Sequence, residues 1–177
     1  RLKSMVIYES LDSSTANDAS RFLFANEALM YLTNYSTVTV DKLYNFSIDS
    51  IALNPQAGTM LAKNIRLKPI GNKDQFSAKL KFFQDRFDIH FEEGRFENID
   101  WWLLMGNDAI MAESIEIKNG FINVYTDRSL PKSGKSKVGN YPHKMMKKIE
   151  MPINIKYMAI KNVNVSYEEL NPKTGNT

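Results

Sequence analysis

Cysteine is absent from the whole chain, which removes disulfides, thiol nucleophiles and cysteine metal sites together. Histidine occurs only at His90 and His143, so no histidine cluster can form. Glycine (8) and proline (6) are scarce, which excludes collagen-like or linker character. No apolar run approaches the roughly 18 residues that a membrane span needs. Charge is nearly balanced at +3. What remains is 177 residues, 43% apolar and 11% aromatic, which fits one ordinary domain with a real core and argues against wholesale disorder.

The charge is unevenly spread. Between Ser129 and Ile149 stand Lys132, Lys135, Lys137, Lys144, Lys147 and Lys148, with no acid among them. The chain opens on Arg1 and closes on a turn-like Asn171-Pro-Lys-Thr-Gly-Asn-Thr177. We read residues 1–177 as a single module of a longer protein, with any signal or anchor upstream.

Residues 1–17 are polar and read as irregular. Asn17 or Asp18 can cap a helix, and Phe22, Ala25, Leu29 and Leu32 then recur at helical spacing, which predicts a helix over 18–35. From residue 36 the period changes to two. Tyr44, Phe46 and Ile48 alternate with polar residues, and Ile51 and Leu53 continue after a one-residue slip of phase. Asn54-Pro-Gln-Ala-Gly58 is a turn. Leu61, Ile65 and Leu67, then Phe76 to Phe82, then Phe87 to Phe91, give further strands. Asn119-Gly120 has hairpin chemistry. Nine or ten short strands in meander order follow, apart from the Lys-rich loop 129–149. The fold class expected is mainly β: an N-terminal helix packed on a curved antiparallel meander, or a solenoid-like open sheet. A Lys-Asn pair flanked by aliphatic residues recurs at Lys63-Asn64, Lys118-Asn119 and Lys161-Asn162, with a partial copy at Asn98. Asparagine tolerates the left-handed backbone that redirects a strand.

Few motifs carry chemistry. Gly134-Lys135-Ser136 mimics part of a phosphate loop, but Ser129 replaces its first glycine and Gly139 to Pro142 cannot start the required helix. The acids Glu92-Glu93, Asp85, Asp88 and Glu168-Glu169 form no distinguished pair, so a carbohydrate-active enzyme is a remote reading and no catalytic residue, cofactor or metal ligand is assigned. His90 lies between Ile89 and Phe91 and faces away from both. The Lys-rich loop is a candidate contact for anionic groups. It lacks the arginines and stacking aromatics of a nucleic-acid site, so no nucleic-acid partner is expected.

The segments Tyr44-Asn-Phe-Ser-Ile-Asp-Ser-Ile-Ala-Leu-Asn-Pro55 and Ala62-Lys-Asn-Ile-Arg-Leu-Lys-Pro69, with the tail Pro152 to Glu169 running into Lys173-Thr-Gly175, resemble AsmA-like envelope proteins of Gram-negative bacteria, especially the Bacteroidetes versions. The likeness covers residues 36–177. It implies a periplasmic, β-rich body attached through an upstream membrane anchor, adjoining other modules of the same chain. It also implies a non-enzymatic role in outer-membrane biogenesis or lipid transport, with an apolar groove for acyl chains of phospholipid or a similar lipid.

The aromatics Phe46, Phe76, Phe82, Phe87, Phe91, Phe96 and Phe121 outnumber what one helix can cover. The candidate groove is therefore Phe46, Phe82, Phe87, Phe91, Phe96, Trp101 and Trp102. The competing expectation is a structural or interaction domain whose core is filled by its own side chains, with the lysine loop docking an acidic partner.

Overall fold

In the computed structural model, residues 2–8, 27–101, 103, 110–131 and 153–170 are described. They form one open sheet of seven strands in chain order: β1 (Leu2–Tyr8), β2 (Glu27–Val38), β3 (Tyr44–Asn54), β4 (Thr59–Pro69), β5 (Arg86–Glu97), β6 (Ile110–Asp127) and β7 (Ile153–Leu170). Pairing is antiparallel from β1 to β6, and β7 joins β6 in parallel. One helix, α1 (Lys73–Ser77), lies between β4 and β5.

The mainly β, open-sheet expectation holds, with corrections. Glu27 to Tyr35, expected in the N-terminal helix, are strand; residues 18–26 lie outside the described residues. Leu29 and Leu32 fit a helical face, but Met30, Leu32 and Tyr35 also match β3 in register, and pairing outweighs a propensity of a few tenths of a kcal/mol per residue. Leu2–Tyr8, expected irregular, pair with β2. The meander is not wholly antiparallel. In the parallel step Ile153 stands opposite Ile110, so β7 begins at the end of the sheet where β6 begins. The strands are fewer and longer than expected, up to 18 residues, because Asn119-Gly120 does not reverse the chain but lies inside β6.

Phe76, expected in a strand, belongs to α1. The helix starts at a reciprocal cap: Asn72 Oδ1 accepts from Gln75 N at 2.8 Å, and Gln75 Oε1 accepts from Asn72 N at 3.1 Å. The turn at Asn54 to Gly58 forms as expected, with Asn54 Oδ1 accepting from Ala57 N at 3.0 Å and Gly58 at φ +64°.

Two small buried clusters sit at opposite strand ends. Leu43, Tyr44, Phe76 and Phe87 form one, with Leu67, Leu80, Ile89 and Val124 against it. Ile99, Trp101 and Ala112 form the other, with Leu53, Met60 and Phe96. Thus α1 covers one rim of the sheet, and the chain following β5 covers the other.

Candidate functional site: an apolar sheet face creased by asparagines

The asparagines of the Lys-Asn pairs adopt the left-handed backbone: Asn64 at φ +52°, Asn119 at +52° and Asn162 at +54°, as do Asn34 (+54°) and Asn98 (+52°). Asn34, Asn64, Asn119 and Asn162 fall on one line across the sheet. In every adjacent pair from β2 to β7 this level is skipped by the ladder while the register on either side is unchanged, with Asp49 of β3 and Glu92 of β5 at the same level. The line is therefore a crease that crosses six strands. A left-handed residue within a strand turns the chain and shifts its alternation by one position.

That shift decides which side chains share a face. On one side of the crease the paired positions Met30, Leu53, Met60, Phe96, Ile115 and Met158 form a row, and Leu32, Ile51, Ala62, Gly94, Ile117 and Ile160 form the next. Beyond the crease come Tyr35, Ile48, Ile65, Phe91, Gly120 and Val163, then Thr37, Phe46, Leu67, Ile89, Ile122 and Val165. Strict alternation would send the second pair of rows to the opposite face. They stay on the same face: a Cβ on Gly94 would lie 2.9 Å from Ile65 Cδ1, across the crease. Within the far rows, Tyr35 meets Phe46 edge-on at 6.2 Å. The result is a nearly continuous apolar surface running from rim to rim.

The opposite face carries the charge. Next to the crease stand Ser50, Lys63, Glu93, Lys118 and Lys161 in register. Glu93 pairs with Lys63 and lies 3.9 Å from Lys118; Glu116 pairs with Lys161 and lies 2.5 Å from Lys118. Lys118 and Lys161 are direct neighbours of like charge, and Glu116 relieves them. Hydrogen bonds from Lys118 and Lys161 hold the Glu116 carboxyl down to about 2, and a hydrogen bond from Lys63 lowers that of Glu93.

The crease residues bond on this polar side. Asn162 Nδ2 donates to Asn119 Oδ1 at 3.2 Å, Asn119 Nδ2 donates to Glu92 Oε2 at 3.1 Å, and Arg66 Nη1 donates to Asp49 Oδ1 at 2.6 Å. His90 faces the polar side as expected, 3.3 Å from Asn64 Oδ1 and edge-on to Phe121 at 5.8 Å. A cavity of about 260 Å³ along β6 and β7 is lined by Arg95, Glu97, Ser114, Ile115, Glu116, Tyr157, Met158 and Ala159.

The candidate groove residues separate into groups. Phe46, Phe91 and Phe96 stand in the apolar rows, and Phe87 lies buried on the same face within the α1 cluster. Trp101 is buried in the opposite rim and seals it. Phe82 belongs to the loop after α1, not to the face, because the chain leaves the sheet at Pro69 and re-enters it at Arg86. Trp102 and the six lysines of the loop lie outside the described residues. Of the acid pairs, Glu92 and Glu93 go to separate partners, Asp85 accepts from Thr126, and Glu168 and Glu169 pair with Lys73 and Arg128. Among the described residues no three His, Asp or Glu side chains group as a metal site, and no helix is long and apolar enough to cross a membrane.

Sequence reading missed Met30, Met60, Ile117 and Met158 as members of the face. The signal was present in the Lys-Asn repeat, which marks where the alternation shifts in β4, β6 and β7. No family model, curated protein or solved structure matches the chain.

Proposed function

We propose that the creased apolar face binds the acyl chains of lipids, in keeping with the AsmA-like resemblance of residues 36–177. In this reading the chain is a non-enzymatic, periplasmic module, tethered through an upstream anchor and serving outer-membrane biogenesis or lipid transport. One observation carries it: the apolar rows run on to the edge strand, and their members there are left exposed. Met158 is 57% exposed, Ile160 53% and Val165 70%, all in rows whose other members are apolar apart from Gly94 and Thr37. Scattered exposed apolar residues are ordinary on a soluble protein, whereas a contiguous patch of this kind marks a binding surface. Each methylene withdrawn from water onto such a face gains about 0.8 kcal/mol, so an acyl chain lying along the rows is held without any polar contact.

The test is uptake of a fluorescent fatty acid by the delipidated protein. Saturable uptake is expected, weakened by Ile160→Lys and Val165→Lys, which place charge in two rows at the open edge. A folded protein that takes up nothing refutes the reading and leaves the self-contained interaction domain in its place.

A further inference from the structure

The rim at which β2 and β4 end carries a different surface. There the β2–β3 turn and the loop after α1 are held side by side: Ile70 N donates to Leu43 O at 2.8 Å, and Lys79 Nζ donates to Ile70 O at 3.3 Å. Three apolar side chains stand out from this junction and its flanks. Val40 is fully exposed, and Val38 and Phe82 are each 50% exposed. Lys42, Lys79 and Lys81, on the same two connections, are exposed as well. Among the described residues the lysines that pair with acids are Lys63, Lys73, Lys118 and Lys161, and none of Lys42, Lys79 and Lys81 is one of them. The acid of the turn, Asp41, is occupied locally: its Oδ1 accepts from Thr39 Oγ1 at 2.6 Å and from Leu43 N at 3.1 Å.

We infer that this rim docks on an anionic phospholipid surface, with Val40 and Phe82 entering the headgroup boundary and Lys42, Lys79 and Lys81 facing its phosphates. A single exposed valine or phenylalanine means little. Here exposed apolar tips and exposed lysines stand on two adjoining connections, and none of those lysines pairs with a described acid, which is the chemistry of an interfacial contact. Lysine stems lie along the apolar boundary while their ammonium groups stay in the phosphate layer. Burial of Phe82 supplies the apolar part, and the three charges supply attraction that salt screens. The inference rests on the connections at the rim and is independent of acyl binding by the sheet face.

Sedimentation with vesicles tests it. The protein is expected to bind vesicles of phosphatidylcholine mixed with phosphatidylglycerol, and to bind pure phosphatidylcholine weakly. The double variant Lys79→Glu and Lys81→Glu should bind the anionic vesicles about 30-fold or more weakly, from about two lysine contributions lost. Val40→Asn with Phe82→Asn, at unchanged charge, should weaken binding several-fold. Both variants should keep the wild-type unfolding temperature and the wild-type uptake of free fluorescent fatty acid. Failure of the folded wild type to bind anionic vesicles overturns the inference. So does wild-type binding by either variant, which would assign the attraction elsewhere on the molecule.

Discussion

Gly120 offers the sharpest test of the creased sheet. It follows Asn119 in β6, opposite Phe91 of β5 and Val163 of β7. A Cβ at this position would stand 2.0 Å from His90 O, 3.0 Å from His90 C and 3.0 Å from Phe91 Cα. A carbon needs about 3.3 Å from a carbonyl oxygen, so Gly120→Ala forces β5 and β6 apart by about 1 Å beside the crease. All the obstructing atoms are backbone, and no rotamer change relieves them. Overpacking costs about 1–3 kcal/mol, and weakening two ladder bonds adds about 1 kcal/mol each, so the total is about 3–5 kcal/mol. At about 2–4 °C per kcal/mol for a domain of this size, the unfolding temperature should fall by about 10 °C. Gly94→Ala is the control. Its Cβ meets only Ile65 Cδ1, at 2.9 Å, the far end of a flexible side chain, and the expected loss is about 1 kcal/mol. Urea unfolding followed by circular dichroism gives both values. Equal losses for the two substitutions, with unchanged m-values, would show that β5 and β6 do not approach at Gly120 in this way.

Three further outcomes follow from the geometry. Asn64→Ala should lose about 1–2 kcal/mol because its backbone is left-handed at φ +52°, whereas Asn64→Gly should lose less; the reverse order in chemical denaturation would contradict the crease. Glu116 is held down to about 2, below its unfolded value, so its contribution is complete above pH 4.5 and disappears as pH falls from there towards 2. Glu116→Gln should therefore flatten the acid limb of the stability profile within that window, and an unchanged limb would show that Lys118 and Lys161 do not hold the carboxylate. Tyr44 is buried, its hydroxyl accepts from Phe87 N at 3.3 Å, and burial pushes its pKa up to about 12. Tyr44→Phe should cost about 1–2 kcal/mol by stranding the Phe87 amide, and should remove one late-titrating tyrosine from an alkaline absorbance titration.

The strand alternation was legible because half-buried strands must alternate, and Tyr44-Phe46-Ile48 does so plainly. The slip of phase between Ile48 and Ile51 was legible too, and the structure places it at the unpaired level of Asp49. The left-handed role of the Lys-Asn asparagines followed from backbone sterics alone. Their alignment did not, since it depends on which strands become neighbours. Glu27 to Leu32 misled because helical and strand spacings both fit a short run of Leu, Met and Ala, and only the β3 partner decides between them. Asn119-Gly120 misled for a related reason: Asn-Gly supplies the positive φ of a hairpin, but one left-handed residue followed by an extended glycine bends a strand without reversing it. For α1 the Asn72–Gln75 cap was the available sign, and the Phe76-Ala78-Leu80-Phe82 alternation masked it. Of the face itself, the aromatics were visible and the methionines were not, because methionine has no preference for strands to announce it.

The shared level of the phase shift also limits how this protein can vary. Adding or removing one residue in a strand on one side of the line would swap that strand's greasy and charged sides relative to its neighbours, setting Lys63 or Glu93 among the isoleucines. Such a change is tolerable only if a second, compensating one falls on the same side. Length differences between related chains should therefore gather in the connections, while the distance from each line residue to its strand ends stays constant or moves in steps of two.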